Sequence, residues 1–194
     1  MRYKIVVVGD KNVGKTALVT QWLDNKFDPR SLSPTLSVSY KIQEVEIDNV
    51  NMELAVYDTA GGDYNIPQLC RDCHAMILVF DITSAQSFNS IKTAYGNLKM
   101  FGKYPILIAG NKMDNETERN VQRSDAEAFA ASKNTKYYEV SAQSGYNVDD
   151  LFGDVAKFAT APPKIEVQQE PTQQQSPSEQ KNTASEEGSC CRIN

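Results

Sequence analysis

Along residues 1–161 apolar runs alternate with amphipathic stretches, and each change of period marks a change of element. "YKIVVVG" (3–9) is a continuous run rich in β-branched side chains, the pattern of a strand covered on both faces. "GKTALVTQWL" (14–23) comes next with helical spacing. "LSVSYKIQEVEI" (36–47) and "MELAVYDT" (52–59) alternate with period two, and "DNVN" between them reads as a hairpin connection. "AMILVFDIT" (75–83), "PILIAGN" (105–111) and "YYEVSA" (137–142) read as further strands. Ser84 is placed to cap a helix running to about Lys99. Ser124–Asp125–Ala126–Glu127 has the spacing of a capping box, opening a helix to about Lys133. Asn147 is placed to cap a final helix with Val148, Leu151, Phe152, Val155 and Ala156 on one face. Strands alternating with helices need crossover connections. The pattern therefore predicts an α/β fold, a mostly parallel sheet of six strands with one antiparallel edge strand and helices on both faces. In such a sheet ligands bind at the carboxyl ends of the strands.

The pattern stops at the end of this region. Residues 162–194 are rich in Gln, Pro, Ser and Glu and hold no aromatic residue, a composition expected to stay disordered. The chain thus divides into a domain, 1–161, and a tail, 162–194. Its 194 residues, 40% hydrophobic and 23% charged, suit one soluble domain of ordinary size. A net charge of −5 argues against a general nucleic-acid binder, which needs a basic face. No run approaches the roughly 20 apolar residues of a membrane span, and the N-terminal run is too short for a signal-peptide core, so a cytosolic chain is expected. Four cysteines in a chain of this length do not make a disulfide framework. "CRDCH" (70–74) matches the C-x-x-C-H spacing of haem attachment, but its place just before a buried strand favours ordinary, partly buried thiols.

"GDKNVGKT" (9–16) is G-x-x-x-x-G-K-T between a strand and a helix, the context a phosphate-binding loop requires. Its backbone amides, over Asp10, Lys11, Asn12, Val13, Gly14 and on to Ala17, are placed to surround phosphate oxygens at a helix N-terminus. Lys15 is expected to reach the β- and γ-phosphates and the Thr16 hydroxyl to ligate Mg²⁺. The loop selects a phosphate, not a base. "NKMD" (111–114) closes a later strand, and the Asp114 carboxylate suits the N1–H and exocyclic amine of guanine. Adenine has neither donor and would leave that carboxylate unpaired, which is costly. "SAQ" (141–143) ends the next strand. A P-loop metabolic kinase is disfavoured, because no insertion offers an acceptor site or a lid.

The P-loop, Thr35, "DTAG" (58–61), "NKMD" and "SAQ" occur in the order and spacing of the Ras superfamily of small GTPases, and the resemblance covers nearly all of 3–161. "LSVSY" (36–40), "YDTAG" (57–61), "LVFDITSAQSF" (78–88) and the terminal "CCRIN" are most similar to the Rab branch. The resemblance implies the G domain of a P-loop NTPase that binds GTP and GDP with Mg²⁺. It implies that Thr35 ligates the ion through its hydroxyl and the γ-phosphate through its backbone, and that Asp58 holds a water of the ion. The Gly61 amide would bond the γ-phosphate. Asn111, Lys112 and Asp114, with the Ser141 and Ala142 backbone and Gln143, would frame the guanine. Phe27 is either the aromatic that packs on the base edge or a core residue ending the first helical region. Leu36, Val38 and Tyr57 would belong to an effector face; Leu36 and Val38 read equally as edge-strand packing residues.

Two departures bear on catalysis. The family's water-orienting Gln after D-T-A-G is replaced by Gly62, and the stretch from Asp58 to Tyr64 is one residue shorter than usual. Lys11 and Asn12 stand where small residues are usual, beside the expected γ-phosphate. The catalytic set then reduces to Lys15, Thr35, Gly61 and Gly62, which predicts slow GTP hydrolysis without an activating protein. A module that recruits effectors while bound to GTP, with negligible hydrolysis of its own, is the alternative. Cys190 and Cys191 resemble the doubly geranylgeranylated ends of Rabs; "CRIN" is a poor C-a-a-X box. The tail carries three cations against five glutamates, so charge does not help it hold an anionic membrane. The resemblance implies a monomer on the cytosolic face of an endomembrane. Its partners would be effectors, an exchange factor, a GTPase-activating protein, a prenyl escort and a GDP-dissociation inhibitor.

Overall fold

The elements, in chain order, are β1 (Arg2–Val8), α1 (Lys15–Asp24), β2 (Ser39–Ile47), β3 (Val50–Asp58), α2 (Ile66–Cys70), β4 (Ala75–Asp81), α3 (Ala85–Lys99), β5 (Ile106–Asn111), α4 (Arg123–Ser132), β6 (Tyr137–Glu139) and α5 (Val148–Thr160). A 3₁₀ segment, Met113–Glu118, lies after β5. The computed structural model describes residues 1–29, 38–47, 49–61 and 66–160. The expectations placed on Thr35, Leu36, Gly62, Cys190 and Cys191 lie outside them.

As the alternation of elements predicts, the six strands form one sheet; its order is β2-β3-β1-β4-β5-β6. Only the β2–β3 pair is antiparallel. Crossovers cover both faces, which is why the apolar runs are continuous. Ile5 and Val7 of β1 point into one core with α1 and α5. Val6 and Val8 point into the other, with α3 and α4. β4 divides the same way, Ile77 and Val79 to the first and Met76, Leu78 and Phe80 to the second. Each such side chain contributes roughly 1.5–3 kcal/mol on burial. The predicted face of α5 is buried, with Val148 2% exposed and Leu151, Phe152 and Val155 at 0%. Trp22 stacks on Phe152, ring centroids 4.3 Å apart, and fixes α1 against α5.

Three local expectations need correction. The hairpin connection is shorter than "DNVN", because Val50 and Asn51 already pair with Ile47 and Glu46. Asn49 takes the left-handed φ of 62° that a tight hairpin needs. The capping box at Ser124 does not form, since α4 begins one residue earlier, at Arg123, and its first amides bond the Gln122 carbonyl. Glu127 instead pairs with Arg123 at 2.7 Å. Asn147 sits at a φ of 54° and gives its side-chain amide to the Glu139 carbonyl, so it ties β6 to the start of α5 rather than capping through its side chain. Ser84 does cap α3, accepting from the Ser87 amide at 3.2 Å.

Candidate nucleotide-binding site

The loops that carry the predicted motifs leave the carboxyl ends of β1, β3, β5 and β6. The loop from Gly9 to Thr16 turns through left-handed residues at Asn12 (φ 64°) and Gly14 (φ 91°). Asn tolerates that region and Gly has no penalty there, so the backbone coils tightly. Gly14 is also required by space, since a Cβ on it would lie 2.3 Å from the Asn111 amide nitrogen. Val13 and Ala17 anchor the loop in the α1/α5 core, while Lys11 and Asn12 are exposed at its rim. The Lys15 ammonium curls under the loop and donates to the carbonyls of Gly9 (3.0 Å) and Asp10 (2.8 Å). Burial lowers the Lys15 pKa from its ordinary value, opposed by the carboxylates of Asp58 and Asp10. α1 has no acidic residue in its first turn, which leaves the positive end of its dipole to an anion.

Thr16 donates its hydroxyl to Asp58 Oδ2 at 2.6 Å. Two oxygen donors, one a buried carboxylate, stand side by side at the mouth of the loop. That hard donor pair fits Mg²⁺, which takes few protein ligands and keeps waters and phosphates for the rest. Gly61 packs directly on the loop. A Cβ there would lie 2.3 Å from the Lys11 nitrogen and 2.5 Å from its Cα, so the start of the segment after β3 is held in backbone contact with the phosphate loop.

The second half of the site is built around Asn111, which is 1% exposed. Its side chain donates to the Val13 carbonyl (2.9 Å) and accepts from the Ala142 amide (3.1 Å), joining the P-loop, the end of β5 and the "SAQ" loop. Ser141 donates its hydroxyl to Asp114 Oδ1 at 2.5 Å and accepts from the Ser144 amide at 3.0 Å, which fixes the direction of the carboxylate. Lys112, at a φ of 69°, pairs with Asp81 at 2.6 Å. Ser141 and Ala142 also brace the site from within. Their amides bond Tyr146 and Asn111 within the protein, so the two residues hold Asn111 and Asp114 in place. Gln143 is exposed, and Phe27 is half-buried against the α1/α5 core. Val38 is 50% exposed on the chain entering β2. Tyr57 stacks with Tyr40, centroids 5.4 Å apart. Cys70 is buried and shares a 2.8 Å contact with the Tyr104 hydroxyl, and Cys73 is held up at a pKa of about 12 by burial. Both are free thiols packed at the start of a buried strand.

Sequence reasoning missed the brace behind Asp114. The Arg119 guanidinium bonds both Glu116 oxygens (2.8 and 2.6 Å), Glu139 Oε1 (2.8 Å) and the Val121 carbonyl (3.0 Å). Glu116 belongs to the 3₁₀ segment that carries Asp114, and Glu139 to the strand that leads into Ser141. Arg119 therefore fastens together the two segments that position the Asp114 carboxylate. The available signal was Glu139 itself, a lone charge in the otherwise uncharged run of β6.

Comparison with known proteins gives the family. The family model described as "Ras family" matches residues 4–161. "Ras-related protein Rab-7a" of Paramecium octaurelia is 32% identical over 200 residues, covering 97% of this chain and 96% of that protein. "Ras-related protein Rab-21" of Homo sapiens is 38% identical over 160 residues, covering 80% of this chain and 71% of that protein. The human "EF-hand calcium-binding domain-containing protein 4B" is 34% identical over 161 residues, and the chain spans only 22% of its length.

Proposed function

The chain belongs to the Ras family of small GTPases, with Rab proteins among its relatives, and we propose that it is a Rab-like switch of membrane traffic that hydrolyses GTP slowly. The observation that carries the reading is Asn111, one buried side chain bonded to both the phosphate loop and the base-side loop. It makes phosphate grip and base choice a single structure.

The loop amides and Lys15 hold the β- and γ-phosphates, and the Asp114 carboxylate, aimed by Ser141, accepts from guanine. Mg²⁺, held through Thr16, Thr35 and Asp58, would neutralise phosphate charge. Lys15 takes up new hydrogen bonds from a position already fixed by the Gly9 and Asp10 carbonyls, so little reorganisation is needed. The γ-phosphate is read by the Gly61 amide, which packs on the same loop, and by Thr35; loss of that phosphate releases both segments. The effector face would be formed by Leu36, Val38 and Tyr57.

Slow hydrolysis has its cause in the residue after Gly61. Gly62 offers no side chain to orient a water, and the remaining groups stabilise charge without positioning the nucleophile. Lys11 and Asn12 stand at the rim where an arginine from an activating protein would enter. Single-turnover hydrolysis by the purified protein loaded with GTP is the test. We expect a rate well below that of a Gln-bearing relative, raised by Gly62→Gln. An equal rate refutes the slow-GTPase reading. No turnover even with activating proteins favours a GTP-bound recruiting module instead. Exchange factor, activating protein, prenyl escort and GDP-dissociation inhibitor complete the cycle, with Cys190 and Cys191 as lipid carriers on the cytosolic face of an endomembrane.

A further inference from the structure

The end of the domain opposite the nucleotide carries a surface that the switch does not use. It is built where the chain enters β5 and β6 and where α5 finishes. Met100 and Phe101, just past α3, are 82% and 49% exposed, among the most exposed large apolar side chains of the described residues. Lys99 and Lys103 flank them in "KMFGK". Lys99 and Lys133 lie over the same Tyr95 ring, each 5.9 Å from its centroid, so the end of α3 and the end of α4 share one surface. The Thr135 hydroxyl bonds the Ile106 carbonyl and joins the loops before β5 and β6. Lys136 and Lys157 continue the cluster around Asp154, at 2.5 and 3.7 Å. Lys99 also donates to the Tyr104 carbonyl at 3.1 Å, and of the five lysines Lys136 and Lys157 share the Asp154 carboxylate. Arg71 and Asp72, on the loop before β4, offset each other. Glu44, Glu46 and Glu53 lie on β2 and β3, at the other side of the sheet from β5 and β6, and Glu139, at the end of β6, is paired with Arg119.

We propose that this end, with Met100 and Phe101 next to Lys99 and Lys103 in the chain and with Lys133, Lys136 and Lys157 on the ends of the neighbouring elements, is a docking surface for an anionic lipid bilayer. Charge complementarity identifies the occupant. The molecule has a net charge of −5, so a local excess of lysines beside two exposed apolar tips is selective for a negatively charged surface with an apolar interior. A bilayer also fits the place, because the chain continues from Thr160 of α5 at this end and its tail, with three cations against five glutamates, brings no electrostatic attraction of its own. The lysines of the domain supply what the tail lacks. With this end down, the nucleotide loops at the opposite end of the strands face away from the membrane, open to protein partners. The inference deepens the membrane-traffic reading but does not require lipidation of Cys190 and Cys191.

The test uses the full chain from a bacterial host, which adds no prenyl group, loaded with GDP. Sedimentation with vesicles of phosphatidylcholine containing about 30 mol% phosphatidylserine is compared with phosphatidylcholine alone. We expect binding to the anionic vesicles only, weakened by salt. Each cation near such a surface contributes roughly fivefold in partitioning, so Lys103→Glu with Lys133→Glu lowers it at least about twentyfold. Met100→Ser with Phe101→Ser lowers it about tenfold. GDP release stays unchanged in both variants. In Phe101→Trp, the introduced indole shifts to the blue on anionic vesicles. Equal binding to neutral vesicles, no binding by the wild-type chain at millimolar lipid, or indifference to both paired variants overturns the proposal. Because no lipid anchor is present, a failure here leaves the anchor reading standing, and an unmodified Cys190–Cys191 end in the native protein leaves this result standing.

Discussion

Replacing Arg119 by Met tests the claim that the Asp114 carboxylate is braced from behind. The Arg119 side chain is 9% exposed and that of Glu139 is 4% exposed, so their 2.8 Å pair is out of water. Methionine keeps much of the volume but removes every donor. Glu139 is then left with the Tyr137 hydroxyl at 3.1 Å as its remaining side-chain donor, and the Val121 carbonyl loses its guanidinium bond. Removing one member of a buried pair costs about 3–5 kcal/mol, against a total stability of about 5–15 kcal/mol. For a domain of this size that is a fall in Tm of about 10 °C. The second consequence is local. Glu116 loses its two bonds to Arg119, the segment bearing Asp114 is freed, and GDP release accelerates about tenfold, the equivalent of about 1.4 kcal/mol. Urea unfolding at a fixed excess of GDP and the release rate of a fluorescent GDP analogue read the two effects. The double variant Arg119→Met, Glu139→Gln removes the stranded charge, so it recovers most of the stability but not the slow release. A single variant within about 1 kcal/mol of wild type, or a double variant that costs the sum of the singles, refutes the brace.

Three other outcomes are set by the geometry. Gly61→Ala places a methyl 2.3 Å from the Lys11 backbone nitrogen, where neither backbone can yield, so GTP affinity falls at least about tenfold relative to GDP in competition titrations. Ser141→Ala removes a 2.5 Å hydrogen bond to a carboxylate, which costs about 1.5–3 kcal/mol and weakens GDP roughly tenfold to a hundredfold by calorimetry, with no gain in ATP affinity. On the alkaline side, burial raises Cys73 from 9.0 to about 12, so the folded state holds its proton longer than the unfolded chain; stability present below pH 9 is lost as pH rises through 12, and Cys73→Ala flattens that part of a pH-dependent unfolding curve.

The strands were legible because burial on both faces leaves a pattern little else produces. Ile5 to Val8 alternate between two cores, so no polar position interrupts them, and the same holds for Ala75 to Phe80. The phosphate loop was legible because its geometry demands particular residues, as at Gly14, where Asn111 leaves no room for a Cβ. Helix starts were less legible. A capping box is a competition between local hydrogen bonds, and at α4 the Arg123–Glu127 pair takes the carboxylate that would have returned to Ser124. The hairpin was misjudged for a related reason. Val50 and Asn51 are exposed at the sheet edge, so their pairing leaves no apolar mark.

What the sequence hid is the connection between motifs. Each motif reads as a string with its own ligand, yet the structure shows Asn111 bonded to Val13 and Ala142, Lys112 to Asp81, and Arg119 to Glu116 and Glu139. Arg119 and Glu139 are 20 residues apart, with α4 between them, and no periodicity links them. A switch needs these links more than it needs any single contact. The buried side chain of Asn111 ties the phosphate loop to the loop after β6, and Ser141 and Arg119 fix the segment that carries Asp114, so the two halves of the site hold one geometry.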